Sequence, residues 1–181
     1  AIAGQVYVIS PWLDKSIYAT SDSLKRFMDV FNKCGELCKK SGMTFGYHNH
    51  DFEFSVRLDN KTVYDIILEN TDPALVIQQL DTGNLYHTGA RAQEIILKYP
   101  GRFASMHVKD EIKSVQGEMG SQYESTILGT GVVGIKEIVN LGRTTGGTLH
   151  FIIEQESYQG KDPVACMKEN YVIMKNWGFK D

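Results

Sequence analysis

Leu75-Val76-Ile77-Gln78-Gln79-Leu80-Asp81-Thr82-Gly83-Asn84 is the stretch whose reading decides the fold. It opens as an apolar run broken only by Gln78 and Gln79, as in a strand covered on both faces by helices. It ends in a carboxylate, a hydroxyl, a glycine and an amide. The same layout recurs at Gly46-Tyr47-His48-Asn49-His50, Met106-His107-Val108-Lys109-Asp110 and Phe151-Ile152-Ile153-Glu154-Gln155-Glu156. The spacing from His48 to Asp81, His107 and Glu154 brackets the roughly 31 residues per strand-helix unit expected of about 250 residues in eight units.

Working outward, Gln5 to Ser10 reads as a strand stopped by Pro11. Ser21 to Ser41 carries Leu24, Phe27, Met28, Phe31, Leu37 and Cys38 at helical spacing, with Ser21 or Asp22 as the cap and Gly42 as the stop. Met43 to Asn49 is the second strand, followed by a helix near Thr62 to Asn70. After the strand quoted above, a helix spans about Ala90 to Tyr99 and ends at Pro100-Gly101. Phe103 to Val108 is the fourth strand. A glycine-rich loop from Glu111 to Val133 then leads to a helix near Ile135 to Leu141, the strand His150 to Glu154, and a last helix from Asp162 to Trp177. Five strand-helix units in this order imply a parallel sheet with right-handed crossovers, open or closed into a barrel.

The chain has 181 residues, 42% hydrophobic, enough for one buried core. Its 19 basic and 22 acidic residues are interspersed, giving a net charge of −3. No basic face for nucleic acid is expected, and a small soluble ligand is the better partner. No run approaches the roughly 18 apolar residues of a membrane helix. The start lacks the layout of a signal peptide and has no initiator Met, so the native start is expected to lie upstream and the compartment is left open between cytoplasm and periplasm. Three cysteines make no disulfide framework, and Cys34 and Cys38 read as buried free thiols on one helix.

Alternation along a strand puts His48 on a face with His50, Gln79 with Asp81, His107 with Lys109 and Glu154 with Glu156. Ligands of α/β sheets bind at the carboxyl ends of the strands, where each of these pairs sits. One polar strand end is ordinarily a cap, but four in succession indicate a shared site. A set made of Asp81, His107 and Glu154, with Glu53 or His48 as a fourth member, mixes oxygen and nitrogen without thiolate. It suits Mn²⁺, Mg²⁺, Co²⁺ or Zn²⁺ in an open geometry. The glycines between Gly117 and Gly134 lack the spacing of a phosphate-binding loop and read instead as a mobile loop or lid.

The motifs YHNHDFEF (47 to 54), LDTGNLY (80 to 86), MHVKD (106 to 110), GTGVVGIKEI (129 to 138) and IIEQE (152 to 156) resemble the sugar phosphate isomerase/epimerase family of xylose-isomerase-like TIM barrels. The resemblance implies a (β/α)₈ barrel of which this chain is the C-terminal five units, the fourth to the eighth, in one domain lacking its first three. The missing units would then be supplied by another chain or have been removed by cleavage, and a homo-oligomer or a complementing N-terminal fragment is the expected protein partner. It further implies that Asp81, His107 and Glu154 bind a divalent ion. Many relatives place a Glu where this chain has His48, so the remaining ligand is either His48 or Glu53.

On that resemblance the expected activity is metal-dependent isomerisation or epimerisation of a free or phosphorylated ketose through an enediolate. The alternative is a lyase or dehydratase acting on a keto-sugar, keto-inositol or 3-keto-glycoside, and His48 leans toward it. Glu154 is the expected base, with Glu53, His48 or Glu156 returning the proton and Lys109 binding an oxyanion or standing as a surface lysine. His50, Asn84 and Lys109 are candidates to bind the substrate, and Trp12 either stacks on a sugar ring or plugs the barrel rim. His87 reads as a loop residue. An apurinic-site endonuclease shares such a barrel, but its need for a basic surface conflicts with the acidic balance.

Overall fold

The computed structural model describes residues 4–180. Strands β1 (Tyr7–Ser10) and β2 (Thr44–His48) flank helix α1 (Ser21–Lys40). A short helix α2 (Phe52–Ser55) and a two-residue hairpin, β3 (Arg57–Leu58) and β4 (Lys61–Thr62), precede α3 (Val63–Asn70). Then come β5 (Val76–Asp81), α4 (Ala92–Lys98), β6 (Ser105–Val108), the hairpin β7 (Asp110–Lys113) and β8 (Tyr123–Thr126), α5 (Ile135–Leu141), β9 (His150–Ile153) and α6 (Pro163–Asn176). The main sheet has the order β1-β2-β5-β6-β9 and every pair in it is parallel. These are the five strand-helix units expected.

The sheet curls strongly. Laid flat, five strands would hold their edges about 19 Å apart, yet His150 Nε2 on β9 is 3.1 Å from the Tyr7 hydroxyl on β1. Close approach inside the curve explains a glycine on β2: a Cβ at Gly46 would stand 2.8 Å from both Ile77 Cγ1 and Ile9 Cδ1. The convex face packs against the helices in two apolar clusters. Leu24, Met28 and Phe31 of α1 meet Phe45, Tyr47, Ile66, Ile67 and Val76 in one. Leu80, Met106 and Val108 meet Ile96, Ile135, Ile138 and Met174 in the other.

Three local expectations need correction. Thr20, not Ser21 or Asp22, caps α1: its side chain accepts from Ser23 N at 3.1 Å, and Ser23 Oγ accepts from Thr20 N at 3.1 Å. This is a reciprocal box built from two hydroxyls rather than a hydroxyl and a carboxylate. The stretch from Glu111 to Val133 is not all loop, because residues 110–113 and 123–126 pair as the antiparallel hairpin β7–β8. Its glycines also serve the chain's own carboxylate. Gly129 N and Gly131 N donate to Asp110 Oδ2 at 2.8 and 3.0 Å, and Val133 N donates to Oδ1 at 3.2 Å, so the amides that a phosphate loop would offer are taken. Cys34 and Cys38 are only partly buried, while Cys166 is buried, and all three are free.

Candidate active site

The carboxyl ends of β2, β5, β6 and β9 bring four side chains together. One ligand atom each from His48, Asp81 and His107 lie within 4.8 Å of one another. His107 Nδ1 is in ion-pair contact with a Glu154 carboxylate oxygen and 3.8 Å from Asp81 Oδ2. The His48 and His107 rings stand 4.6 Å apart.

Asp81 is fully buried. Its Oδ1 accepts from Gly83 N at 2.9 Å and Asn84 N at 2.8 Å, which fixes the carboxylate plane. Among the described residues its Oδ2 has no hydrogen-bond partner, and neither has the buried His48 Nδ1. Buried polar atoms are nearly always paired, so an unpaired atom on each of two residues whose ligand atoms lie within 4.8 Å of each other fits a site built for a cation. Burial, with the His107 and His50 rings alongside, pushes His48 down to about 4 and leaves it a neutral imidazole at neutral pH. Burial also raises the Asp81 carboxyl, against the pull of the Lys109 charge. On Glu154 burial opposes ionisation, but the hydrogen bond with His107 and the charge of Lys109 override it and hold the carboxyl well below its ordinary range.

Lys109 is not a surface lysine: it is 1% exposed. Its ammonium donates to Asn84 Oδ1 at 3.1 Å and Glu154 Oε1 at 3.5 Å, contacts the Glu156 carboxylate, and lies 3.7 Å from Glu118 Oε2. Burial disfavours its charge, but Asp81, Glu156 and Glu154 outweigh that and raise its pKa. Asn84 is thus occupied by Lys109, with its own amide reaching Asn49 O at 3.4 Å. His50 sits at the rim, its ring 4.9 Å from that of His48 and 4.6 Å from that of Trp12, which is itself 52% exposed.

Glu53 lies apart from this group. Helix α2 turns it under the sheet, where one oxygen is hydrogen-bonded by the Tyr47 hydroxyl and the other accepts from His50 N at 2.9 Å. Tyr47 belongs to the face of β2 opposite His48. Burial pushes Glu53 up to about 7.

Several positioning residues escaped the sequence reading. Asn49 Oδ1 accepts from Asp81 N at 2.9 Å and ties the end of β2 to that of β5. Thr82 Oγ1 accepts from Lys109 N at 3.0 Å, and Ser125 Oγ on β8 accepts from Glu156 N at 2.7 Å. Asn49 and Thr82 stand inside the quoted motifs, whereas nothing in the sequence placed Ser125 or Glu118 near β9.

A family model described as xylose isomerase-like TIM barrel matches residues 4–176. The chain belongs to that family. An inosose dehydratase of Geobacillus thermodenitrificans is 25% identical over 183 residues, covering 96% of this chain and 58% of its own. The solved structure of a sugar phosphate isomerase/epimerase from Parabacteroides distasonis superposes with a TM-score of 0.72 at 23% identity, covering 94% of this chain and 57% of that one. A xylose isomerase-like TIM barrel protein from Mycobacterium smegmatis, solved in complex with magnesium, gives a TM-score of 0.66 at 16% identity, covering 96% and 61%. The chain therefore spans less than two thirds of the length of each, and its curled five-stranded parallel sheet is part of a (β/α) barrel. Among the described residues no helix is long and apolar enough to cross a membrane.

Proposed function

We propose that this face carries out metal-assisted proton abstraction next to the carbonyl of a polyhydroxylated ketone, followed by elimination of water. The carrying observation is one-sided: Glu154 faces His48, Asp81 and His107, whereas Glu53 is turned away to Tyr47 and His50 N. Inversion at carbon is best served by a base on each face of the substrate, while elimination needs only one. The relative named as a dehydratase, aligned along nearly the whole chain, supports the same reading.

His48, Asp81 and His107 would hold the divalent ion, which when bound supplies a Lewis acid that polarises the carbonyl oxygen. The Glu154 carboxylate takes the proton from the carbon next to that carbonyl. The C–H electron pair becomes the carbon-carbon double bond of an enolate, and the carbonyl pair moves onto oxygen. Glu154, held against His107 and Lys109, starts as the ionised form that a base must be. When the carbonyl re-forms, the neighbouring C–O bond breaks and its pair leaves with the hydroxyl. The proton held by Glu154 completes the departing water, so the balance is one unsaturated ketone and one water per ketone consumed. Lys109 stabilises the negative charge that Glu154 and the enolate share.

Epimerisation is the second reading, favoured by Glu156, a second carboxylate on the Lys109 ammonium. Keto-inositols and keto-sugars incubated with the metal-supplied protein in D₂O separate the two. Elimination gives a product lighter by one water, and epimerisation gives deuterium in an otherwise unchanged formula. Failure to exchange any C–H of these ketones would overturn both.

A further inference from the structure

A cavity of about 380 Å³ opens beside this site and plays no part in the reaction above. Asp51, His87, Gly120, Ser121, Gln122 and Tyr123 line it. These come from the turn after β2, the turn after β5, the connection between β7 and β8 and the first residue of β8. Its volume lies within the roughly 300 to 1,000 Å³ of small-molecule sites. Two of its lining segments run on to the reacting centre: Asp51 follows His50, whose ring is 4.9 Å from that of His48, and the segment holding Gly120 and Ser121 also sends Glu118 to within 3.7 Å of Lys109.

The lining offers a carboxylate, an imidazole, a hydroxyl, an amide and a phenol ring, and no lysine or arginine. Burial lowers His87, which leaves it uncharged at neutral pH despite Asp51 Oδ2 at 3.8 Å. The ammonium of Lys109 is already shared among Asn84, Glu154, Glu156 and Glu118. A phosphate placed here would meet the Asp51 carboxylate and no cation to pair with. A ring of hydroxyl groups instead meets donors and acceptors together with an aromatic surface. That surface is held in place: Tyr123 packs edge-on against Tyr86 at 5.5 Å, and the Arg91 guanidinium lies 4.2 Å over the Tyr86 ring.

We propose that this cavity binds a second, uncharged sugar ring, so that the substrate is a glycoside whose reacting ring lies over Glu154 and whose other ring is held by Asp51, His87, Gln122 and Tyr123. The reacting ring's position rests on the function proposed above, while the outer ring is tested by binding alone. Calorimetric titration with glucose, with a panel of α- and β-linked glucose disaccharides and with glucose 6-phosphate reads it directly. At least one disaccharide should bind about tenfold or more tighter than glucose, and the phosphate no tighter than glucose. The disaccharide-to-glucose affinity ratio should collapse toward one in Gln122→Ala, an exposed position, and in His87→Ala, with unchanged melting temperature as the check on folding. No disaccharide binding tighter than glucose, a preference for the phosphate, or a ratio untouched in a folded Gln122→Ala protein would each overturn the outer subsite. Retained disaccharide preference with no turnover of any keto-glycoside would instead sink the elimination chemistry and leave the subsite standing.

Discussion

Replacing Glu53 with Gln should make the protein more stable in mild alkali and leave it almost unchanged in mild acid. In the folded chain burial holds Glu53 protonated up to about 7, against an ordinary value of 4.5. The unfolded chain therefore loses this proton near 4.5 while the folded chain keeps it until about 7. Stability contributed by the protonated side chain is complete below 4.5, falls as the pH rises from there to about 7, and is gone above. The gap corresponds to about 3 kcal/mol. Glutamine never ionises, and it keeps both local contacts, since its oxygen can accept from His50 N and its amide can donate to the Tyr47 oxygen. Urea unfolding of both proteins at pH 5, 6, 7 and 8, with chelator present, measures the difference, and groups common to both cancel. The variant should exceed the parent by no more than about 1 kcal/mol at pH 5 and by about 2 to 3 kcal/mol at pH 8. A difference that stays flat with pH, or a variant less stable at pH 8, would refute the account of Glu53 as a carboxyl kept neutral by burial.

Glu154→Gln should fold normally and lose at least about a hundredfold in turnover, because an amide cannot take the proton; wild-type rates in a folded variant would remove Glu154 from the chemistry. Asp81→Asn should weaken Mn²⁺ binding at least about tenfold, measured by titration calorimetry, and unaltered affinity would exclude the group of His48, Asp81 and His107 as the ion's seat. Gly46→Ala should cost about 1 to 3 kcal/mol, since the new methyl meets Ile9 and Ile77 side-chain atoms at 2.8 Å; an unchanged unfolding midpoint would show that those side chains yield freely.

The fold was legible because parallel strands covered by helices announce themselves twice, in apolar runs and in the 3.6-residue period between them. All five main strands and their following helices stand within a few residues of where the sequence puts them. What escaped was short or polar. Helix α2 is one turn long, and β3–β4 and β7–β8 are hairpins of strands too short or too polar to show a period. The convergence of side chains was legible where alternation along a strand governs: His48, Asp81, His107, Lys109 and Glu154 do meet at one end of the sheet. Glu53 lies beyond the end of β2, on a helical turn whose direction no strand period sets, so the sequence could not say which way its carboxylate points.

The burial of Lys109 explains why so many acids can share one end of this sheet. Asp81, Glu154, Glu156 and Glu118 all approach its ammonium. Two of them have opposite tendencies: burial raises Asp81, whereas His107 and Lys109 hold Glu154 ionised. Removing the ammonium, as in Lys109→Met, would take away the charge that most favours the Asp81 carboxylate, and its carboxyl would move further up toward the protonated form. Asn84 would lose the partner that orients its amide. The lysine therefore acts on Asp81 and Glu154 through charge before any substrate arrives: it favours the carboxylate form of Asp81, which a cation requires, and the carboxylate form of Glu154, which a base requires. One buried cation serves both needs because His107 near the end of β6 and Lys109 just past it, two residues apart, come to the same side.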